Sequence, residues 1–309
     1  MITEILMQSF WIRKMHSLKI EQVTKEYGPS WHEKTKIGTP TMGGVVFIPV
    51  YILALAVFFA ASVIEFDWKH VALYSYPVLA AVTGFIDDWM KHTKNSSDGL
   101  TSLQKLSLQI FVTLAWIFMI SPQNIEFLPG VVLPVWITVP VILFAGVGFQ
   151  NAVNVTDGLD GLAAGAVLIS LLFAVLFLSV SRADLFMLFC SIGITMGFLW
   201  HNSNPATVFM GDVGAHFFAG LLFAVCVSAK SAAFIVPLGF LFGLEIISVS
   251  IQIFAIRKLH RKVFLMSPVH HHFEMLGWNE NKIVSRFLIV HATGVFLLII
   301  MFYRIAEFF

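Results

Sequence analysis

The sequence predicts an all-α, polytopic transmembrane helical bundle of about ten helices, the first of them short. Three observations carry that prediction. Of 309 residues, 58% are hydrophobic and only 12% charged, against about 45–50% and about 25% in soluble domains. Nine apolar stretches approach the roughly 20 residues that a helix needs to cross a bilayer core. The basic residues also collect on one side of those stretches, as the topology of membrane proteins requires.

The nine stretches are 43–64, 71–86, 106–120, 131–149, 161–180, 185–199, 213–229, 232–256 and 287–303. The shorter ones, such as 106–120, are expected to extend into flanking polar residues. Residues 1–12 make half a span before Arg13 and Lys14, which leaves a truncated or tilted tenth helix, or an interfacial one. That segment contains Glu4 and lacks a basic leader, so it does not read as a classical signal peptide. Short connectors suggest that residues 1–309 form one integral membrane domain.

Counting Lys and Arg on alternate sides of the spans orients the bundle. The connectors 13–42, 87–105, 150–160, 200–212 and 257–286 hold 15 of the 19 basic residues; Lys69, Arg182, Lys230 and Arg304 are the other 4. The rule that cytoplasmic loops are the basic ones makes the first side cytoplasmic. A net charge of +1 argues against a nucleic-acid partner. Cys190 and Cys226 lie in apolar runs without metal-ligand spacing and read as small buried hydrophobes.

The polar sequences unlike ordinary connectors all fall on this cytoplasmic side. They are 36–44 (KIGTPTMGG), 87–91 (DDWMK), 151–161 (NAVNVTDGLDG), 201–214 (HNSNPATVFMGDVG) and 267–274 (SPVHHHFE). A passive bundle has no reason to sort motifs by side, whereas an active site on the cytoplasmic face would.

Asp87 and Asp88 are adjacent, Asp157 and Asp160 are three apart, and Asp212 opens another span. Acidic groups beside hydrocarbon are costly unless paired, metal-bound or functional. A lone Asp such as Asp157 serves equally well as a helix cap, but adjacent like charges repel. A hard cation relieves that repulsion, and an all-oxygen set points to Mg²⁺ or Mn²⁺. Asn151, Asn154, Asn202 and Asn204 accompany these acids. Their amides suit a uracil edge or sugar hydroxyls, though Asn204 before Pro205 reads as a turn residue. Phe209 offers a ring for stacking on a base, with core packing the simpler role. Lys36, Lys91 and Lys105 supply positive charge for phosphates, and orientation alone also explains them. His270, His271 and His272 point different ways on a regular helix, so a single zinc site is not expected. An irregular loop presenting imidazoles to phosphate oxygens fits better than a solvated surface tract. Glu245 and His216 lie within spans and read as bundle-facing polar groups without assigned chemistry.

With these motifs in order over nearly the whole chain, the sequence resembles the phospho-N-acetylmuramoyl-pentapeptide transferase family of the polyprenyl-phosphate N-acetylhexosamine-1-phosphate transferases. GTPTMGG, Asp-Asp-x-x-Lys, NAVNVTDGLDGLA, VFMGD and PVHHHFE carry the resemblance. It implies a ten-helix, often dimeric fold in the bacterial plasma membrane. The implied reaction transfers phospho-MurNAc-pentapeptide from UDP-MurNAc-pentapeptide to undecaprenyl phosphate, giving lipid I and UMP, with Mg²⁺. It makes Asp212 the metal ligand, with Asp88 beside it, and Asp87 and Asp88 catalytic, Asp87 as base. Lys36, Asn154, Asp157, Asp160, Asn202 and Phe209 become nucleotide-side candidates, and Asn151 joins them on its amide chemistry. His270, His271 and His272 would bind the donor phosphate or sugar, with Lys91 and Lys105 near the phosphates.

Two departures stand out. The first helix is about half the family's length, and Ala215-His216-Phe217 stands where Ser and small aliphatic residues are usual. A UDP-GlcNAc-dependent relative is the nearest rival, which the PVHHHFE segment disfavours. A lipid-linked sugar flippase would place its acids near the bilayer midplane instead.

Overall fold

The computed structural model describes residues 1–18, 20, 38–61, 67–94 and 98–306. It consists of α1 (Ile2–Leu18), α2 (Phe47–Ala60), α3 (Trp68–Tyr74), α4 (Tyr76–Lys94), α5 (Ser102–Met119), α6 (Val135–Thr156) and α7 (Leu162–Phe177). These are followed by α8 (Arg182–Asn202), α9 (Gly211–Ser228), α10 (Ile235–Leu238), α11 (Phe240–Leu259), α12 (Val269–Met275) and α13 (Glu280–Ala306). Ten of these helices have 14 or more residues, and seven described helical segments are long and apolar enough to cross a membrane. The protein is an all-α polytopic membrane protein.

Packing follows what lipid as solvent dictates. The bundle turns large apolar side chains outward, among them Phe144, Trp136, Leu176, Trp200 and Ile289. Inside, small residues let the backbones approach where α4 and α9 cross, and aromatic rings pack between α2, α8 and α9. The centre is α9, 89% buried, against 28–50% for the other candidate spans. Its neighbour α4 runs antiparallel to it through two glycines. Gly84 lies on the Asp212–Val213 backbone, where a Cβ would overlap, and Gly220 lies on Pro77 and Ala80. At the far end, Asp184 knits three helices together. Its Oδ1 accepts from Tyr74 at 2.6 Å and from Ser228, and its Oδ2 accepts from Ser181 at 2.6 Å.

Four elements differ from the sequence expectation. Helix α1 does not stop at Arg13-Lys14 but runs 17 residues to Leu18, about 26 Å at 1.5 Å per residue. It buries Glu4 and Gln8, with Glu4 packed on Gly197 of α8. The 71–86 stretch is broken at Ser75, and α4 then continues through the DDWMK motif to Lys94. The charged residues end the hydropathy signal but not the helix. The 131–149 stretch is not helical at its start, because Val131–Val132 pairs antiparallel with Glu126–Leu128. A short Val-Val run fits either structure by pattern alone. That hairpin is fastened by Lys230 to Glu126 at 3.0 Å. The Gly130 N–H and then Lys230 hold the Glu126 carboxyl below its usual range. Finally, His270, His271 and His272 sit on the seven-residue helix α12, not on an irregular loop.

Candidate active site

The crossing of α4 and α9 brings three carboxylates to one point. Asp87 and Asp88 come from the last turns of α4, and Asp212 from the first turn of α9. One oxygen from each lies within 4.8 Å of the others. The backbone is shaped around them. Gly211 has φ +70°, and a Cβ there would stand 2.5 Å from Asp88 Oδ2. Glycine therefore lets Asp88 reach the α9 N-terminus, where Oδ2 accepts the Val213 N–H at 3.1 Å. That exchange satisfies an N–H group with no partner inside its own helix. Asp87 is held on its other side by the Leu100 N–H, which donates to Oδ1 at 2.7 Å.

Two lysines and an amide complete the cluster. Lys91 Nζ lies 2.7 Å from Asp87, 3.1 Å from Asp212 and 3.3 Å from Asp88. Lys105, reaching over from α5, contacts Asp212 directly and stands 3.8 Å from Asp87. Asn154 of α6 donates to Asp212 Oδ1 at 2.8 Å. Three carboxylates against two ammonium groups leave an excess negative charge in a site where Asp87, Asp88 and Asp212 are only 3%, 6% and 9% exposed. The donors are all hard oxygens, so the residues fit a divalent cation of the Mg²⁺ type.

The other expected residues fall into distinct places. Asn151 donates to Gln109 at 3.0 Å and to the Val147 carbonyl, and Gln109 in turn meets His216 at 3.0 Å. Asp157 caps the C-terminal end of α6, half-buried. Asp160 and Asn202 brace the connector before α9. Asp160 Oδ2 accepts from Asn204 and from the Ala206 N–H, at 3.1 and 3.0 Å. Asn202 accepts the Gly161 N–H and donates to the Val208 carbonyl. Phe209, half-buried, is fixed through its backbone to Pro40 and Gly43 at 2.9 and 2.8 Å. Lys36 lies outside the described residues.

The three histidines occupy three environments. His270 is fully buried, with Nδ1 3.2 Å from Glu245 and Nε2 against Gly158, where a Cβ would overlap. His271 Nδ1 meets Glu274 Oε2 at 2.5 Å. His272 Nδ1 accepts the Leu265 N–H at 3.1 Å. The histidine helix therefore lies beside the Asp157–Gly158 turn, one helical turn beyond Asn154, which donates to Asp212.

The sequence that carries this arrangement is similar to known proteins. Residues 70–230 match the family model described as glycosyl transferase family 4, a stretch that contains all three clustered aspartates. A relative in Rubrobacter xylanophilus named phospho-N-acetylmuramoyl-pentapeptide-transferase is 38% identical, over 97% of this chain and 93% of its own length. The proteins of that name in Clostridium acetobutylicum and Bacillus licheniformis are 38% and 34% identical. They cover 93% and 96% of this chain, and 91% and 94% of their own lengths. The chain belongs to the phospho-N-acetylmuramoyl-pentapeptide-transferase family. As a member of that family it is a transferase in a multi-pass membrane bundle, and the aspartate cluster is its most concentrated chemical feature.

Several supporting groups around these residues were not among the sequence expectations. Gln109, the Leu100 N–H and Glu280, which accepts the Asp160 N–H at 2.8 Å, all hold expected residues in place. Gln109 carries a signal that was legible, a lone amide among apolar neighbours. The Leu100 N–H carries none, because a backbone donor leaves no mark in sequence.

Proposed function

We propose that this chain transfers phospho-MurNAc-pentapeptide from UDP-MurNAc-pentapeptide to undecaprenyl phosphate on the cytoplasmic face of a bacterial plasma membrane, in an Mg²⁺-dependent reaction that yields lipid I and UMP. The observation that carries this reading is the buried Asp87, Asp88 and Asp212 cluster with Lys91 and Lys105 inside it. The names of the relatives supply the transferred group, phospho-N-acetylmuramoyl-pentapeptide.

The physical task is to bring two anionic phosphates together at the membrane surface. An oxygen of the lipid phosphate forms a bond to the β-phosphorus of the donor. The bond from that phosphorus to the bridging oxygen breaks, and UMP leaves with the electron pair. Asp88 and Asp212 would hold Mg²⁺, which when bound offsets charge on the leaving phosphate. Lys91 and Lys105 would attract the two phosphates. A phosphate monoester carries roughly −1.5 to −2 charges at pH 7, so positioning matters more than deprotonation. Asp87, oriented by the Leu100 N–H, takes the acceptor's remaining proton. Asn151, Asn154, Asp157, Asp160, Asn202, Phe209 and Lys36 form the nucleotide side, and the histidine helix meets the sugar-peptide end. Residues 1–309 act as one domain; a homodimer is consistent with the family.

The test is product identification with purified protein, undecaprenyl phosphate and the muramyl donor. UMP and a lipid-linked product should appear in equal amounts, stop on chelation and resume with Mg²⁺. Turnover that persists in chelator would contradict the metal assignment.

A further inference from the structure

We infer that Glu245, a carboxylate inside the span of α11, is a positioning residue for the donor end of the site, acting through His270 on the turn that carries Asp157. This rests on the reading that the histidine helix and that turn receive the donor.

Glu245, Ser248 and Gln252 stand at i, i+3 and i+7, so they form a polar seam along an apolar helix. Each rung holds part of the segment that follows. Gln252 Oε1 accepts the N–H groups of Val263 and Phe264 at 3.0 and 2.9 Å, and its Nε2 donates to the Phe264 carbonyl at 2.9 Å. Ser248 Oγ accepts the Val269 N–H at 3.0 Å. Glu245 faces His270 Nδ1 at 3.2 Å, and both residues are 0% exposed. The segment thus folds back along α11, and His270 is its deepest attachment.

The seam does more than fasten a loop. A carboxylate within a span is costly, and an apolar residue of similar volume often holds a fold as well as a buried ion pair does. Both oxygens of Glu245 and both nitrogens of His270 are buried without an aligned hydrogen bond, so tight polar satisfaction does not account for the pair. What the pair does fix is direction. The carboxylate stands on the Nδ1 side of the ring, which turns Nε2 the other way. That Nε2 lies on Gly158, next to Asp157. Asn154, one turn earlier on α6, donates to Asp212. On the other side the His270 ring stands 4.2 Å from His271. Moving Glu245 would therefore shift the histidines and the Asp157 turn together, without touching the carboxylate cluster.

The experiment compares Glu245→Leu, Glu245→Gln, His270→Ala and the Glu245→Leu/His270→Ala double variant in the full chain. It measures kcat and KM for the muramyl donor, free UMP affinity and Tm. Glu245→Leu should raise the donor KM and lower kcat/KM by roughly tenfold or more, the size of one lost interaction with a charged group, and should weaken free UMP binding as the Asp157 turn shifts, with Tm little changed. Glu245→Gln, which keeps an oxygen facing His270, should recover most of the loss. The double variant should be no worse than His270→Ala alone. A Leu variant within about twofold of wild type, losses that multiply in the double variant, or a Gln variant as impaired as Leu would each overturn the inference. If the Leu variant does not purify, Glu245→Asp, one methylene shorter, replaces it with the same criteria. Wild-type protein that fails to use the muramyl donor counts against the proposed function instead. Wild-type turnover with an unaffected Leu variant counts against this inference alone.

Discussion

Asp212 is reached from three helices at once, by Lys91 of α4, Lys105 of α5 and Asn154 of α6. No other clustered carboxylate has as many side-chain partners among the described residues, and it is the one whose neutralisation should matter most. Asp212→Asn keeps the volume and removes the charge. It should lower turnover by roughly 100- to 1,000-fold, the usual cost of deleting one electrostatic contact in an active site. The protein should still insert and purify normally, which size-exclusion profiles and a turnover assay together would check. His271 makes a second residue-scale prediction. Glu274 engages its Nδ1, which fixes the ring on the helix proposed to meet the donor. His271→Ala should lower use of UDP-MurNAc-pentapeptide by about 10- to 150-fold, as for one bond to a charged group, while free UMP binding in a titration changes far less. At this scale the acids and histidines were legible because they interrupt apolar sequence. Their partners were not: nothing local ties Asn154 to Asp212, and Glu245 shows in sequence only as a charge in the wrong solvent.

Among the elements, the α4–α9 crossing decides whether the site exists. Gly84 sits on the Asp212 backbone without room for a Cβ. Gly84→Ala should therefore force the helices apart, costing about 1–3 kcal/mol of stability as overpacking does. It should also lower turnover, because Asp87 and Asp88 move away from Asp212. A methyl group at Gly148 would meet nothing within 4 Å, so Gly148→Ala should leave both Tm and rate near wild type. Equal effects of the two substitutions would remove the special status of the crossing. The helices themselves were readable from apolar length. Their ends were less so, because hydropathy falls at Asp87 while helix α4 continues to Lys94, and because Val131–Val132 reads as span but pairs as strand.

For the whole molecule, the proposed orientation follows from the 15 of 19 basic residues on one side. In a background lacking Cys190 and Cys226, a cysteine at Asn279 should resist an impermeant thiol reagent added outside intact cells, and one at Gln123 should react. Both positions are exposed on the protein, so the difference reports sidedness; labelling at Asn279 from outside would reverse the topology. Purified wild-type protein with Mg²⁺ and undecaprenyl phosphate is offered UDP-MurNAc-pentapeptide and UDP-GlcNAc in parallel, and UMP release is followed. Steady turnover of the muramyl donor and no useful turnover of UDP-GlcNAc are expected. Efficient use of UDP-GlcNAc with rejection of the pentapeptide donor would contradict the proposed function.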